Sequence, residues 1–308
     1  MAYEIGNAND GESLGFAHKQ LLLKIQALAE ANGWTTMRYS TANPVSHELI
    51  LRGEGLSGVE EIYVGFRTYD NVSSDYYNIA AAGFTGYVSG NTWASQPGFR
   101  ESGVPAHNQN IDYVMVCNPQ RIALNLKVGT PVYESCYVGK MLPYARPSQF
   151  PYPLVVAGML NGAAATRYSE TAHSMPYKGN RVNMAMRWLD GSYKQPLVHP
   201  WTNEYIGQNG GWFLRDTVDR YPVMPVILQE SSPANNVFGE LDGIFYVSNF
   251  NNTVESVIQI GGTPVVDNPA WTMQQRVDAI ETAGGVAYVC FQDVARTSFN
   301  DYYAMRLD

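Results

Sequence analysis

Charge is what this sequence has least of. Only 16% of its 308 residues are Asp, Glu, Lys or Arg, against about a quarter in an ordinary globular chain. The charges present are 28 acidic and 20 basic, a net of −8, and the Lys and Arg are scattered singly. Binding nucleic acid needs a basic stripe that neutralises phosphates; without one, no nucleic-acid partner is expected. Cysteine is scarce too: Cys117, Cys136 and Cys290 stand apart, with no Cys-x-x-Cys unit. That excludes the usual zinc and redox motifs, and the apolar, strand-like surroundings of all three suit buried, reduced thiols. Folding in the cytosol is the matching expectation. The five histidines (His18, His47, His107, His173, His199) share no ligand spacing, so no metal is expected. Met1 to Glu12 lacks the basic-then-apolar pattern of a secretory leader. The longest apolar run, Pro153 to Leu160, falls far short of the ~20 residues of a membrane span. No G-x-S-x-G element and no P-loop occurs. Neither a cofactor nor a catalytic residue is expected.

In place of charge stand aromatics, glycine and proline, with Tyr 21, Gly 28 and Pro 17. Hydrophobic residues make up 45%, enough for a sizeable core. A surface built from Tyr, Asn and Ser is held by neutral hydrogen bonds and amphipathic rings, which suits protein interfaces. Such a composition points to an assembled component more than to a free enzyme.

Two distant stretches repeat one pattern. Tyr63-Val64-Gly65-Phe66 is followed after a polar turn, Asn71 to Ser74, by Asp75-Tyr76-Tyr77. Tyr288-Val289-Cys290-Phe291 is followed, through Ser298 to Asn300, by Asp301-Tyr302-Tyr303. Period-2 apolar runs flanking a polar link predict β-hairpins. They read as two related hairpins framing the chain between them. Chance recurrence of Tyr-Tyr pairs in aromatic-rich β sequence is the alternative.

The strong helical pattern covers Ser13 to Asn32, with Leu14, Ala17, Leu21, Ile25 and Leu28 on one face. Ser13, Asn9 or Asp10 is its expected cap, and Asn32-Gly33 its stop. Lys19, Gln20, Gln26 and Glu30 fall mostly off the stripe. Everything else of regular pattern is β: Trp34 to Tyr39, His47 to Arg52, Glu61 to Thr68, Ile111 to Val116, Arg121 to Val128 and Tyr133 to Met141. Beyond them come Val155 to Leu160, Met184 to Leu189, Trp212 to Arg215, Tyr221 to Gln229, Ile244 to Asn249, Ser256 to Gln259 and Ala287 to Phe291. Pro222 and Pro225 demote the Tyr221 segment to an edge, and Met273 to Ala283 suits a short helix. The expected fold is therefore mainly β (α+β), with sandwich-like sheets and one long N-terminal amphipathic helix. Leu142 to Pro153 holds four prolines, which lack the amide a sheet interior needs. It marks the expected division into 1–150 and 151–308, although one continuous domain closed by the C-terminal hairpin fits as well.

Gly53-Glu54-Gly55-Leu56-Ser57-Gly58 spells G-x-G-x-x-G, but a β-rich run follows where the dinucleotide fingerprint needs a helix. His47-Glu48 opens like H-E-x-x-H, yet Leu51 fills the second histidine position. Asp216 and Asp219 with Arg215 and Arg220 suit a charged turn better than a pair of glycosidase carboxylates. Residues 83 to 110 form a Gly/Ser/Asn-rich loop or small meander whose Trp93 and Phe99 suit a partner or local packing. With Tyr144, Phe150 and Tyr152 of the proline-rich segment and Tyr302 and Tyr303 of the last hairpin, they make the candidate interface set. Trp93, Trp201 and Trp212 are also placed to stack on sugar rings, which keeps a carbohydrate or host-receptor partner open. The closing hairpin is expected to pair, in its own subunit or a neighbour's, and removal of Met1 to Asn7 to be tolerated.

Glu48-Leu49-Ile50-Leu51-Arg52-Gly53, Gly55-Leu56-Ser57-Gly58 and Glu60-Glu61-Ile62-Tyr63-Val64-Gly65 together resemble a group of tailed-bacteriophage virion structural proteins. So do Arg121 to Val128 with Tyr133-Glu134-Ser135, the segment Leu142 to Leu154, and the closing block from Leu241-Asp242-Gly243 to Leu307-Asp308. The resemblance implies a non-enzymatic particle component of tail, baseplate or neck, assembled in the host cytoplasm. Its implied partners are other virion proteins and copies of itself. It brings no active-site residues.

Overall fold

The computed structural model describes residues 2–129, 132–144, 154–170, 173–177, 183–188, 190–199, 220–221, 223–229, 237–247, 257–260, 263–266, 280–283, 286–294 and 302–307. The chain is mostly β, with several antiparallel sheets and one α-helix among these residues, a β-rich α+β fold. In chain order the first elements are β1 (Ala2–Asn9), α1 (Ala17–Glu30), β2 (Trp34–Ser40), β3 (Glu48–Gly53), β4 (Ile62–Asn71), β5 (Tyr76–Phe84), β6 (Arg100–Pro105) and β7 (Asn110–Asn118). There follow β8 (Arg121–Lys127), β9 (Tyr133–Lys140), β10 (Leu142–Pro143), β11 (Leu154–Ala157), β12 (Met184–Arg187), β13 (Tyr193–Lys194), β14 (Leu197–His199) and β15 (Arg220–Tyr221). The last are β16 (Val223–Gln229), β17 (Val237–Val247), β18 (Val257–Ile260), β19 (Thr263–Val266), β20 (Ile280–Ala283), β21 (Val286–Gln292) and β22 (Tyr302–Arg306).

Two compact units share the chain, and the division is not at 150/151. One comprises 1–141, 146–176 and 182–195; the other comprises 142–145, 177–181 and 196–308. Residues beyond 150 join the first unit because β11, β12 and β13 extend the sheet begun by β1, β7, β8 and β9. That sheet packs on a second one, ordered β2-β3-β4-β5-β6, through β4, β5 and β6 against β9 and β11. Gly83 of β5 makes the approach possible: a Cβ there would lie 2.8 Å from side-chain atoms of Leu154 and Val156, closer than carbon atoms tolerate. The expected sandwich is realised in this unit.

Helix α1 lies against β1 and β7 of one sheet and β2 to β5 of the other. It buries Leu21, Leu22, Ile25 and Ala29, but also His18, Lys19 and Gln20. It is shorter than the sequence pattern predicts. Phe16 is the N-cap and gives no side-chain bond; Asn9 instead closes the turn after β1 by accepting from Gly11 N at 3.0 Å. The stop is as expected, with Asn32 Nδ2 donating to Leu28 O at 2.8 Å and Gly33 at φ 87°.

From the sequence, removal of Met1 to Asn7 is expected to be tolerated, but Ala2 to Asn7 lie within a paired strand. That strand, β1, pairs with β7 in unbroken register from Ala2↔Cys117 to Asn9↔Asn110. The G-x-G-x-x-G stretch is the β3–β4 connection, with Gly55 and Gly58 at positive φ, as the β-rich sequel predicts. Cys117, Cys136 and Cys290 are buried, and none of them is in a disulfide.

In the second unit the main sheet runs β14-β16-β17-β22-β21-β20, with β10 also on β17; a smaller sheet joins β15, β18 and β19. The Tyr221 segment is no edge: β16 sits between β14 and β17. The ladder absorbs Pro225 through a register shift between Pro225 and Ile227, the kind of irregularity that frees a strand from needing every amide. Ile280–Ala283 is strand β20, where the pattern predicted the end of a helix; the rest of that predicted helix lies outside the described residues. So do Trp212 to Arg215, Asp216 and Asp219.

Candidate functional site

Four ionisable groups meet at the first turn of α1. His18 and Lys19 come from the helix, His47 from the residue before β3 and Asp70 from the far end of β4. All are buried, His18 fully and Asp70 to 8% exposure. The Asp70 carboxylate lies 3.2 Å from His18 Nε2 and 3.3 Å from Lys19 Nζ. Phe16 and Tyr77 wall the group, with ring centroids 5.9 and 5.3–5.6 Å from their neighbours. Lys19 Nζ stands 4.8 Å from the Phe16 ring centre. Burial holds the His18 imidazole below its ordinary pKa, despite the pull of Asp70. Burial and the Lys19 charge lower His47 likewise. For Asp70, burial pushes the carboxyl up, but the bond from His18 and the charges beside it prevail and hold it low. With His18 neutral, Lys19 supplies the balancing charge.

This arrangement has a histidine oriented by a carboxylate, as in a general base. A hydroxyl close at hand, Thr68 Oγ1, is committed elsewhere: it accepts from His47 N at 2.9 Å and donates to Val45 O at 3.1 Å. The cluster ties α1 to β4; it presents no activated nucleophile. A second buried pair, Glu134 Oε2 and His173 Nδ1 at 3.1 Å, lies within the first unit. A third, part-buried pair, Lys140 Nζ and Glu60 Oε1 at 2.6 Å, fixes the turn after Gly55 to β9. Among the described residues no group of three or more His, Cys, Asp or Glu could hold a metal ion, and no helix is long and apolar enough to cross a membrane.

The candidate interface aromatics scatter. Trp93 is 5% exposed and packs with Phe84, Ile50 and Tyr63. Its indole N–H donates to Glu101 Oε2 at 2.9 Å, and Glu101 is gripped by Arg67 through two bonds of 2.9 and 3.0 Å. Such a ring has no face to offer a sugar. Phe99 is partly buried against the same cluster. Tyr302 and Tyr303 are buried inside the β17–β22–β21 ladder. Tyr144 is exposed, with its hydroxyl donating to Glu240 Oε2 at 2.9 Å. Phe150, Tyr152, Trp201 and Trp212 lie outside the described residues.

Besides Tyr144, other large apolar side chains among the described residues are exposed, including Val45, Val72 and Val88 in the loops. Tyr3 and Ile5 are each about half exposed and share one face of β1; Leu56 and Val59 stand on the β3–β4 turn. Sequence reasoning passed over Tyr3 and Ile5 because Met1 to Glu12 averages polar. The period-2 spacing of Tyr3, Ile5 and Asn7 was the available signal. No protein-family model and no curated protein matches the chain.

Proposed function

We propose that this chain is a non-enzymatic structural component of a bacteriophage virion, in the tail, baseplate or neck, working through protein–protein interfaces. The observation that carries the reading is where the polar and apolar groups go. In the first unit, several titratable side chains are locked into buried or part-buried pairs: His18 and Lys19 with Asp70, Glu134 with His173, Lys140 with Glu60. Among the apolar side chains left in solvent, Tyr3 and Ile5 sit on a strand edge, where other proteins dock. The low charge of the chain and the sequence resemblance agree with this assignment. The carbohydrate-binding alternative loses Trp93 to the core.

The experiment is localisation in the particle. Antibody-gold labelling of intact phage, with mass spectrometry of purified particles, should find the chain at one defined substructure in fixed copy number. Particles that lack the chain, or purified chain that turns over a polysaccharide, would overturn the reading.

A further inference from the structure

Antiparallel pairing fixes which way each backbone group of β1 points. Asp10 N donates to Gln109 O at 2.9 Å, so the hydrogen-bonded pairs continue with Ala8↔Ile111, Gly6↔Tyr113, Glu4↔Met115 and Ala2↔Cys117. Tyr3, Ile5, Asn7 and Asn9 therefore turn their N–H and C=O groups away from β7. Asn9 is already occupied, because it donates to Glu12 Oε1 and accepts from Glu12 N, both at 3.4 Å. That leaves Tyr3, Ile5 and Asn7 on an open edge, and all three are exposed.

Other edges of this unit are guarded, as sheet edges normally are. β2 carries a register shift between Thr36 and Arg38, and Thr36 Oγ1 is bonded to Glu30 and Gln26 of α1 at 2.6 and 3.2 Å. β6 is covered by Gly162, whose carbonyl accepts from Gly103 N at 2.8 Å. β13 is two residues long. β1 has eight residues in straight register, with no proline, no Lys or Arg and no bulge.

We propose that β1 is a homodimerisation strand, pairing antiparallel with β1 of a second copy about a two-fold axis at Ile5. The three open residues are symmetric about that point. Ile5 would face Ile5 of the partner subunit, and Tyr3 would face the partner's Asn7, so every outward N–H and C=O finds a mate. A strand of foreign sequence would need a matching pattern; this one already matches itself. No charge opposes its like across the axis. Glu4, the charged residue of β1, accepts from the Tyr113 hydroxyl and would face the partner's Gly6. The Asn9–Glu12 turn ends the ladder. The inference deepens the assembly role proposed above and rests on it for where the dimer is used; the edge geometry stands by itself.

Sedimentation of the full chain tests it. The wild type should run at twice the monomer mass. Ile5→Lys and Ile5→Glu should each run as monomers, because like charges meet at the axis, and an equimolar mixture of the two should recover the doubled mass. A wild type that is monomeric at every concentration, or an Ile5→Lys chain that dimerises like the wild type, overturns the proposal. Ile5→Cys tests register without relying on charge. Facing Cα atoms at a hydrogen-bonded pair lie about 5.5 Å apart, within disulfide reach, so oxidation should cross-link it. Tyr3→Cys should stay uncross-linked, since its own counterpart lies four residues along the strand, roughly 13 Å away. Equal cross-linking of both would refute the two-fold at Ile5. The native cysteines are buried and do not interfere. Particle incorporation is read separately. A dimer absent from particles sinks the virion reading and leaves the strand pairing intact, whereas a monomeric wild type found in particles does the reverse.

Discussion

Replacing Asp70 by Asn should destabilise the first unit more than any surface change. The amide keeps the carboxylate's shape and its place beside His18, so the loss is almost purely one of charge. What it leaves is the Lys19 ammonium, with 9% of its side chain exposed and no anion beside it. Removing one partner of a buried ion pair typically costs about 3–5 kcal/mol. The Phe16 ring 4.8 Å from Lys19 Nζ offsets part of that, since a cation–π contact is worth roughly 0.5–2 kcal/mol. The expected loss is therefore ~3 kcal/mol, a drop of roughly 6–12 °C for a unit of this size. Lys19→Met should cost less, because His18 can take up a proton and serve as the cation. The double variant Lys19→Met/Asp70→Asn should be more stable than Asp70→Asn alone. Urea unfolding followed by circular dichroism, with hydrogen exchange of the α1 and β4 peptides, measures all three. A loss below ~1 kcal/mol for Asp70→Asn, or single costs that simply add, would show that the pair does not hold helix to strand.

Acid should weaken the same contact. His18, His47 and His107 all have folded pKa values below the ordinary ~6.5, so the unfolded chain binds more protons just below that pH. Their stabilisation is full above ~6.5 and is lost as pH falls through the lowered values; Asp70 adds a second loss below ~4. Melting temperature from pH 7.5 to 5 should fall, with a shallower slope in His18→Asn; a flat wild-type profile would contradict the burial of these rings. Trp93→Ala should cost about 3–5 kcal/mol in denaturant melts, and a neutral result would mean that the ring is not the wedge its contacts describe. Deleting Asp301 to Asp308 should unfold the second unit while α1 keeps its circular dichroism signal. The deletion removes β22 from between β17 and β21 and, with it, four large buried side chains worth roughly 1.5–3 kcal/mol each.

Arg121 to Val128 was legible because Ile122, Leu124, Leu126 and Val128 alternate with smaller or polar residues, although β8 is buried along nearly its whole length. β1 was missed because its alternation is carried by two apolar residues, Tyr3 and Ile5, among polar and small ones. The burial of Lys19 and Gln20 was not legible, for a different reason. Helical periodicity places them off the apolar stripe, which is true, but α1 is packed by two sheets and so has more than one buried face. What makes a lysine tolerable there is Asp70, fifty-one positions later, and no local pattern encodes that. Trp93 shows the same limit in reverse. Its Gly/Ser/Asn-rich surroundings read as a surface loop, but the loop folds back over β4 and β5 and packs the indole edge-on against Phe84 and Phe99, which stack on each other.

The two repeated stretches test how far local sequence reaches. Both form antiparallel strand pairs, as their alternation predicts, yet their ladders differ. In the first, the ladder continues past Phe66↔Ala81 to Asn71↔Tyr76, leaving a tight turn that Asn71 Oδ1 caps by accepting from Ser74 N at 3.2 Å. In the second, the described ladder runs from Tyr288↔Arg306 to Gln292↔Tyr302. The longer ladder of the first is held from outside the hairpin: Arg67 by Glu101, Thr68 by His47 and Val45, Asp70 by His18 and Lys19. In the second, Val294, two residues past the end of β21, takes φ 55°, a left-handed conformation that is costly for a β-branched residue. Equivalent tyrosines thus meet different partners, Asp70 and Asn71 in one hairpin but Phe291 and Gln292 in the other. The alternation selects the hairpin; the neighbours packed on each strand select its register. The resemblance between the two stretches is therefore a resemblance of local pattern, and it does not extend to where their side chains lie.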